Sequence, residues 1–513
     1  MKIFHILSTI ILIVILFPSF SCGEEPYVKE LFIAFSDSGK ALDLSLQDCI
    51  VHALENNPDI QIKRMDPDIK DLDIEIAESS FSPEFSTELS FLENIEKSTS
   101  EFFGVENLET EMTTFDVSLY GRLRTGTRYS FSLDNKLNET NSGFSSLTSY
   151  YTITPQIDVS HPLLKGRGRE VNEAFIVIAR NTKEKSQYEF ISTVMDIITR
   201  TKQAYYYYAF AQDSYEIAKS SLKRANDLLD ITRKRYAKGL VSQVDLLETE
   251  TMVAQREKLL IAAESQLKSA EDNLKFITNL VSDPEMWNAE VFLTDKPEFV
   301  KKTVSLKDAL MTAFENRPDY KAYLLNIKNS DILLMLAENS TLPELDLMGS
   351  LALNGLDEEY RDTVEDLSID RRQFLIGLKF TKTFGEEDDA RFEQQKLQKA
   401  QLLLGLKKLE QAIILDVRDR VREIDIQSRQ LQASDLSLEK EKKNYAAQKE
   451  RYMAGEISTH DMLDYQDSLS QAELDYLKAL IDYNVAVIQL ECAQGTTLTS
   501  NNIDLFSQEG ARN

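Results

Sequence analysis

Two segments of this 513-residue chain each occur twice, and this duplication constrains the fold more than any other feature. Leu44–Asp59 recurs as Val304–Asp319, and Arg235–Leu247 recurs as Arg451–Leu463, in the same order. Internal repeats of this kind indicate a duplicated structural unit. We therefore interpret the chain as two similar halves.

Each half is predicted to open with two helices separated by a break. Ser45 and Ser305 are each followed three residues later by aspartate, a variant of the capping box that begins a helix. Pro58 and Pro318 cannot continue that helix without losing a hydrogen bond, but they suit the first turn of the next one.

Each half is predicted to end with a hairpin of two very long helices. Residues 173–238 and 389–454 contain no proline, and helices of that length would reach roughly 100 Å. Gly239 and Gly455 are expected to end these helices in a left-handed conformation.

The returning helices are expected to start at serine caps, Ser242 and Ser458. Apolar residues then recur every seven positions, a period typical of coiled-coil packing. The two series are Leu246, Val253, Leu260, Leu267 and Leu274, and Met462, Leu469, Tyr476, Tyr483 and Leu490.

Between the opening and the long helices, apolar residues alternate with polar ones, which predicts β-strands with one apolar face. The alternating runs lie at 85–91, 115–119, 127–133, 151–159, 345–353 and 374–380. The acidic stretches Glu93–Glu111 and Asp357–Asp370 are interpreted as loops beyond a membrane.

Strands in two distant groups cannot close a barrel alone, and open sheet edges are excluded from hydrocarbon. We therefore predict that several copies share one barrel. The predicted fold class is mainly α with membrane β: a duplicated unit of β-strands plus a long coiled-coil helical hairpin.

The N-terminus has the pattern of a secretory signal, with Lys2, an apolar run and small residues before Cys22. Cys22 is a candidate for lipidation. Ser21 fits the bacterial lipidation pattern and Ser19 does not, so ordinary cleavage near this point stays open. The predicted divisions are a signal at 1–22, a first repeat at 23–290 with its tip near 239–242, a second repeat at 291–497 with its tip near 455–458, and a tail at 498–513.

Composition excludes several classes of function. The net charge of −27 argues against nucleic-acid binding. His52, His161 and His460 are isolated from any cysteine or second histidine at metal-ligand spacing. We predict no enzyme, metal or cofactor. Cys49 and Cys492 are interpreted as either a disulfide or two buried thiols.

Nearly the whole mature chain resembles the TolC-type outer-membrane efflux proteins. The residues that carry the resemblance are the duplicated Glu-Asn-x-Pro-Asp, Pro83 and Pro343 before strands, and both Arg-Tyr-x-x-Gly tips. The resemblance implies a homotrimer in the outer membrane with a large periplasmic portion, in which one trimeric shared β-barrel continues into an α-barrel. It also implies docking to a periplasmic adaptor and through it to an inner-membrane pump.

The resemblance also implies roles for individual residues. Asp461 and Asp464 match acidic residues that ring the closed aperture, and Tyr452 and Asp245 match partners in a hydrogen bond that holds the tips shut. The expected adaptor-docking positions are Gly239, Leu240, Gly455 and Glu456.

The chain departs from the family pattern at two places. Ile457 stands where the best-known member has a basic latch residue, and residues 115–133 form an extra predicted hairpin. The competing hypothesis is a secreted coiled-coil structural or adaptor protein without a pore. The transported substrate and the energy source of the pump are not encoded in any motif of the chain.

Overall fold

A computed structural model describes residues 41–98, 103–282 and 284–505 of the chain. The predicted signal with Cys22 lies outside the described residues, as does the end of the C-terminal tail.

The described chain passes twice through one order of elements. The first pass comprises β1 (Ala41–Leu44), α1 (Leu46–Asn56), α2 (Pro58–Ser79), β2 (Glu84–Lys97), β3 (Asn107–Arg122), β4 (Arg128–Thr140), β5 (Ser149–Pro162), α3 (Ala174–Ala237) and α4 (Gln243–Ile277). The second comprises β6 (Glu290–Leu293), α5 (Leu306–Asn316), α6 (Pro318–Ser340), β7 (Glu344–Leu353), β8 (Gly355–Asp357), β9 (Arg372–Thr381), α7 (Glu387–Ala454) and α8 (Thr459–Ala493). Helices of four to six residues complete the connections.

The long helices extend as the sequence predicts. α3 has 64 residues and α7 has 68, and each is therefore about 100 Å long. Both end before a left-handed glycine, Gly239 with φ of 70° and Gly455 with φ of 81°. A side chain at either position would strain the backbone.

The opening helices confirm three of the four predicted signals and correct the fourth. Pro58 and Pro318 occupy the first turns of α2 and α6, and Ser45 forms a complete capping box. Ser305 begins α5 without a side-chain hydrogen bond. Its ψ is 128° where that of Ser45 is 164°, so the next amides lie in a different position relative to this serine than they do at Ser45.

All six predicted strands belong to one antiparallel sheet in the order β2-β3-β4-β5-β7-β9, with β8 paired to β5. The extra hairpin is β3–β4, which lies inside the sheet between β2 and β5. The acidic segment Glu93–Glu111 is not a single loop, because β2 continues to Lys97 and β3 begins at Asn107.

The two faces of this sheet differ in chemistry. One face carries large apolar side chains on every long strand, and many are exposed: Phe85, Leu89, Phe91, Phe115, Leu119, Phe131, Ile157, Val159, Leu347, Leu351, Phe374, Ile376, Leu378 and Phe380. The strand register places them opposite one another, for example Leu89 beside Phe115 and Leu119 beside Phe131.

The opposite face is largely polar and makes hydrogen bonds across strands. Gln156 donates to Asp158 at 2.8 Å and to Ser350 at 3.4 Å, and Ser130 donates to Asp158 at 3.3 Å. The sheet thus separates an apolar surface from a hydrated one.

The helices next to the sheet form a layer in which α2 packs on α3, α3 on α6, and α6 on α7. α4 returns along α3, and α8 returns along α7 and also packs on α3. Among the described residues, no helix is both long and apolar enough to cross a membrane.

A short parallel pair, β1 and β6, joins the two passes. The proposed division after residue 290 therefore falls at the start of β6. Cys49 and Cys492 are both free thiols. Burial, together with the nearby charges of Asp48 and Asp295, raises the pKa of the Cys49 thiol to about 12.

Candidate gate at the helix tips

The two hairpin tips are built alike from a glycine turn and a capping box. Ser242 and Ser458 each accept the amide hydrogen of the aspartate three residues on, at 3.2 and 3.1 Å. Asp245 and Asp461 in turn accept the backbone amide and the hydroxyl of those serines. These hydrogen bonds hold the pKa of both carboxyls below the usual value, so both are charged at neutral pH.

Tyr452 lies at the centre of the contact between the two tips and is 1% exposed. Its ring packs with Leu228, Met462 and Leu463. Tyr452 lies in the last turn of α7, one residue after Arg451. Its contact with Leu228 of α3 packs the end of the second hairpin's first helix against the first hairpin.

The hydrogen-bond partners of Tyr452 differ from those expected. Its hydroxyl lies 3.3 Å from the Thr232 hydroxyl and 3.4 Å from the Thr459 hydroxyl. Among the described residues the Tyr452 hydroxyl lies beside these two threonines rather than beside Asp245, whose Oδ2 accepts the backbone amide and the hydroxyl of Ser242.

An arginine from the first hairpin also contacts Tyr452. The Arg235 guanidinium donates from Nη2 to the Tyr452 carbonyl oxygen at 2.8 Å. The same guanidinium lies over the Tyr452 ring, 4.5 Å from its centroid. Arg235 thus connects the first hairpin to the backbone and the side chain at the end of α7.

Acidic side chains surround the second tip. Asp461 and Asp464 are exposed at the start of α8. His460 lies between two carboxylates, with Nε2 3.8 Å from Asp464 and Nδ1 3.9 Å from Glu248 on α4. The described part of the chain contains no group of three or more His, Cys, Asp or Glu side chains placed to hold a metal ion.

The outermost surface of the tips combines apolar and charged positions. Leu240 is 68% exposed, and Glu456 pairs with Arg451 at 3.2 Å. A crevice of about 790 Å³ between the two turns is lined by residues of both, including Gly239, Leu240 and Gly455. Three of the four predicted docking residues therefore line one surface feature.

Ile457, where the resemblance led us to expect a basic residue, contributes apolar packing. It is half-buried against the cluster of Tyr452, Met462 and Leu463. The sequence reasoning missed Arg235, Thr232 and Thr459 as contacts of that cluster. Arg235 belongs to the duplicated Arg-Tyr-x-x-Gly motif, and that was the available signal.

Comparison with known proteins agrees with this architecture. Residues 49–280 and 309–496 match the family of outer membrane efflux proteins. Over 166 residues the chain is 28% identical to toxin and drug export protein A of Aggregatibacter actinomycetemcomitans, a match covering 32% of this chain and 35% of that protein. The chain thus spans about a third of the length of this curated relative.

Solved structures of low sequence identity share the fold. The Campylobacter jejuni CmeC outer membrane channel matches with a TM-score of 0.63 and 16% identity, over 90% of both chains. The Vibrio cholerae outer membrane protein VceC matches with a TM-score of 0.63 and 13% identity, over 88% of this chain and 96% of that one. The Neisseria gonorrhoeae MtrE channel, at 16% identity, has a TM-score of 0.61 and covers 90% and 94%.

The chain shares its fold with these channels, and the family match covers most of the sequence. This chain belongs to the outer membrane efflux protein family.

Proposed function

We propose that the chain is one subunit of a homotrimeric channel that crosses the outer membrane and the periplasm as the outer component of a tripartite efflux or type I export system. It acts as a passive conduit gated at the periplasmic helix tips. The main support for this proposal is that the sheet and the helix layer of one chain are both open on the same two sides.

The unpaired edges of the sheet are β2 and β9. α2 leads directly into β2, and β9 leads directly into α7. Since α2 and α7 are also the outermost helices of the layer α2-α3-α6-α7, both layers are open on the same two sides. Further copies of the chain, related by rotation, can close both at once, which removes every edge from the hydrocarbon.

Apolar side chains on the two outer helices support this closure. On α2, residues spaced three and four apart form an exposed apolar stripe: Ile62, Met65, Ile69, Leu72 and Ile76. α7 carries exposed Leu397, Leu404 and Leu415. Exposed seams with this spacing are typical of helices that pack against a partner helix.

The two faces of the sheet give the closed barrel its inside and outside. The apolar face suits lipid, and the polar face around Gln156, Asp158 and Ser350 suits a water-filled bore. Because the family is one of channels, the competing hypothesis of a secreted coiled-coil rod or adaptor without a pore is not favoured.

The direct test is reconstitution of the purified protein. Wild-type protein is expected to resist carbonate extraction from outer membranes, to migrate as a heat-sensitive trimer, and to form ion channels in planar bilayers. A water-soluble monomer without channel activity would overturn the proposal.

We assign Asp461 and Asp464 to an acidic ring near the threefold axis of the tips. Three copies of each carboxylate would attract cations, a device that recurs in channel selectivity. Replacing both with Asn is expected to lower cation preference and block by divalent ions. Asp475→Asn, which changes an exposed residue farther along α8, is the control and should leave both properties unchanged. If the double Asn variant and Asp475→Asn show the same cation preference and the same block, Asp461 and Asp464 do not form the acidic ring.

We further propose that the tip crevice, with Gly239, Leu240, Gly455 and Glu456, contacts a periplasmic adaptor that links the channel to an inner-membrane pump. A photo-crosslinker at Leu240 should capture the adaptor in cells. The same group at Leu259, an exposed leucine farther along α4, should not. Equal capture at both positions would contradict docking at the tips.

A further inference from the structure

We propose that Arg235 is the latch that holds the two hairpin tips of each subunit together. The inference rests on the proposed gating at the tips. It assigns the latch to the first repeat rather than the second.

The contact is suited to a latch because it joins two hairpins through two interactions of one side chain. Arg235 lies in the last turn of α3, and its target, Tyr452, lies in the last turn of α7. Carbonyl groups at the C-terminal end of a helix carry partial negative charge, which favours a cation there. The Tyr452 ring adds a cation–π interaction with its centroid 4.5 Å away.

The duplication supplies an internal comparison. Arg451 is the counterpart of Arg235 in the second repeat, and its Nε donates to Glu456 in its own turn at 3.2 Å. The position equivalent to Glu456 in the first turn is Leu240. Since the first turn offers no carboxylate at that position, Arg235 extends to the neighbouring hairpin, whereas Arg451 is retained locally.

The surroundings allow this contact to form and to break. The guanidinium is not tightly enclosed at the Gly455 turn, since even a Cβ at that position would make only ordinary van der Waals contact with Nη2 of Arg235, at 3.8 Å. The bond to Tyr452 ends on a backbone oxygen that also accepts the Gly455 amide at 3.0 Å. Separation of the tips therefore leaves that oxygen with a hydrogen bond, and the arginine can be solvated.

The test uses purified trimers in planar bilayers without adaptor. Arg235→Gln is expected to increase the time spent in high-conductance states roughly tenfold, since a charged hydrogen bond and a cation–π contact are lost from each subunit. Arg451→Gln is the matched control and is expected to remain near wild type. Arg235→Lys should fall between the two.

A second variant tests the mechanism with the arginine still present. Leu240→Glu gives the first turn the carboxylate of the second, which should draw Arg235 to its own turn and open the channel as Arg235→Gln does. Leu240→Gln, which removes the same leucine but adds no charge, is the matched comparison, and in these adaptor-free bilayers it should open the channel less often than Leu240→Glu does. Unchanged heat resistance of the trimer in all four variants at 235 and 240 separates unlatching from misfolding.

The outcomes separate the latch from the proposed function. A wild-type trimer that conducts, together with Arg235→Gln and Leu240→Glu trimers that gate as Arg451→Gln does, would overturn the latch alone. A wild-type protein that forms no channel would overturn the proposed function instead.

Discussion

Asn57 and Arg317 occupy the same position in the two repeats and begin equivalent helices by different chemistry. Asn57 accepts the Asp59 amide hydrogen at 2.9 Å and donates to the Ile277 carbonyl oxygen at 3.0 Å. Arg317 makes no cap on α6. Asn57 therefore stabilises the start of α2 by accepting a backbone amide hydrogen, whereas Arg317 stabilises the start of α6 through ion pairs.

Arg317 joins three segments of the second repeat. Its guanidinium donates to Asp319 at 2.8 Å, to Asp416 on α7 at 2.9 Å and to the Ala493 carbonyl oxygen at 3.2 Å. Burial alone would raise the pKa of Asp319, but the hydrogen bonds and charge of Arg317 outweigh it and hold that pKa below the usual value.

We predict that Arg317→Met destabilises the protein in a pH-dependent way. A carboxyl whose pKa is lowered by folding contributes stability above its ordinary value of about 3.9, and this is lost as the pH falls through the folded pKa. The deficit of the variant should be about 1–2 kcal/mol at pH 7, because Asp319 is 39% exposed and its ion pair is partly screened.

Thermal unfolding by circular dichroism at pH 7, 5 and 3.5 measures this deficit, which should persist at pH 5 and shrink at pH 3.5. Arg429→Met is the control, since Arg429 and Asp425 are about 70% exposed and exposed pairs contribute little. An equal deficit at all three pH values would contradict the charge-based explanation.

At the residue scale, the sequence predicted which motifs form the tips but not their partners. Arg235 and Tyr452 are 217 residues apart in the chain, and their contact depends on how the two hairpins pack. A sequence pattern reports local periodicity and caps. It contains no direct signal for which of two equivalent arginines extends to a neighbouring hairpin.

At the element scale, the sequence predicted more of the structure. The strands and long helices follow from periods of two and seven and from glycine stops, which are local properties. What the sequence could not predict is that β3 and β4 lie within the sheet, because alternation identifies a strand but not the partners it pairs with, which here are β2 on one side and β5 on the other. The extent of β2 past Glu93 was missed because acidic residues in its distal part resemble a loop.

The two opening serines offer a test of capping within one molecule. Ser45 accepts the Asp48 amide hydrogen at 3.1 Å, whereas Ser305 makes no such bond. Ser45→Ala should therefore cost about 1 kcal/mol of local stability, and Ser305→Ala only a few tenths. Hydrogen exchange by mass spectrometry over α1 and α5 measures both losses as the increase in exchange rate relative to wild type. A larger increase for α5 in Ser305→Ala than for α1 in Ser45→Ala would contradict the assigned caps.

At the scale of the whole molecule, one chain provides two layers that are open on the same sides. The unpaired strands β2 and β9 continue from and into α2 and α7, the helices with exposed apolar stripes. A stable monomer would expose both the strand edges and the stripes to solvent or lipid. Association of identical chains covers them together, so we expect barrel and tunnel closure to be coupled.

We predict that Ile69→Glu, in the middle of the α2 stripe, dissociates the proposed trimer. Ile69 is 51% exposed in the single chain, so its change leaves the fold of the subunit nearly intact. At a packed interface the glutamate loses about 2 kcal/mol of apolar burial and adds the cost of an unpaired charge, and this penalty is repeated in every interface of a closed ring.

Light scattering of the detergent-solubilised protein should therefore report monomers for Ile69→Glu. Arg64→Gln changes the net charge by the same amount at an exposed position of α2 well away from the stripe and should leave the trimer intact. If Ile69→Glu trimers withstand dilution as well as those of Arg64→Gln, the stripe does not form the interface, and the coupling of barrel to tunnel closure must depend on the strand edges alone.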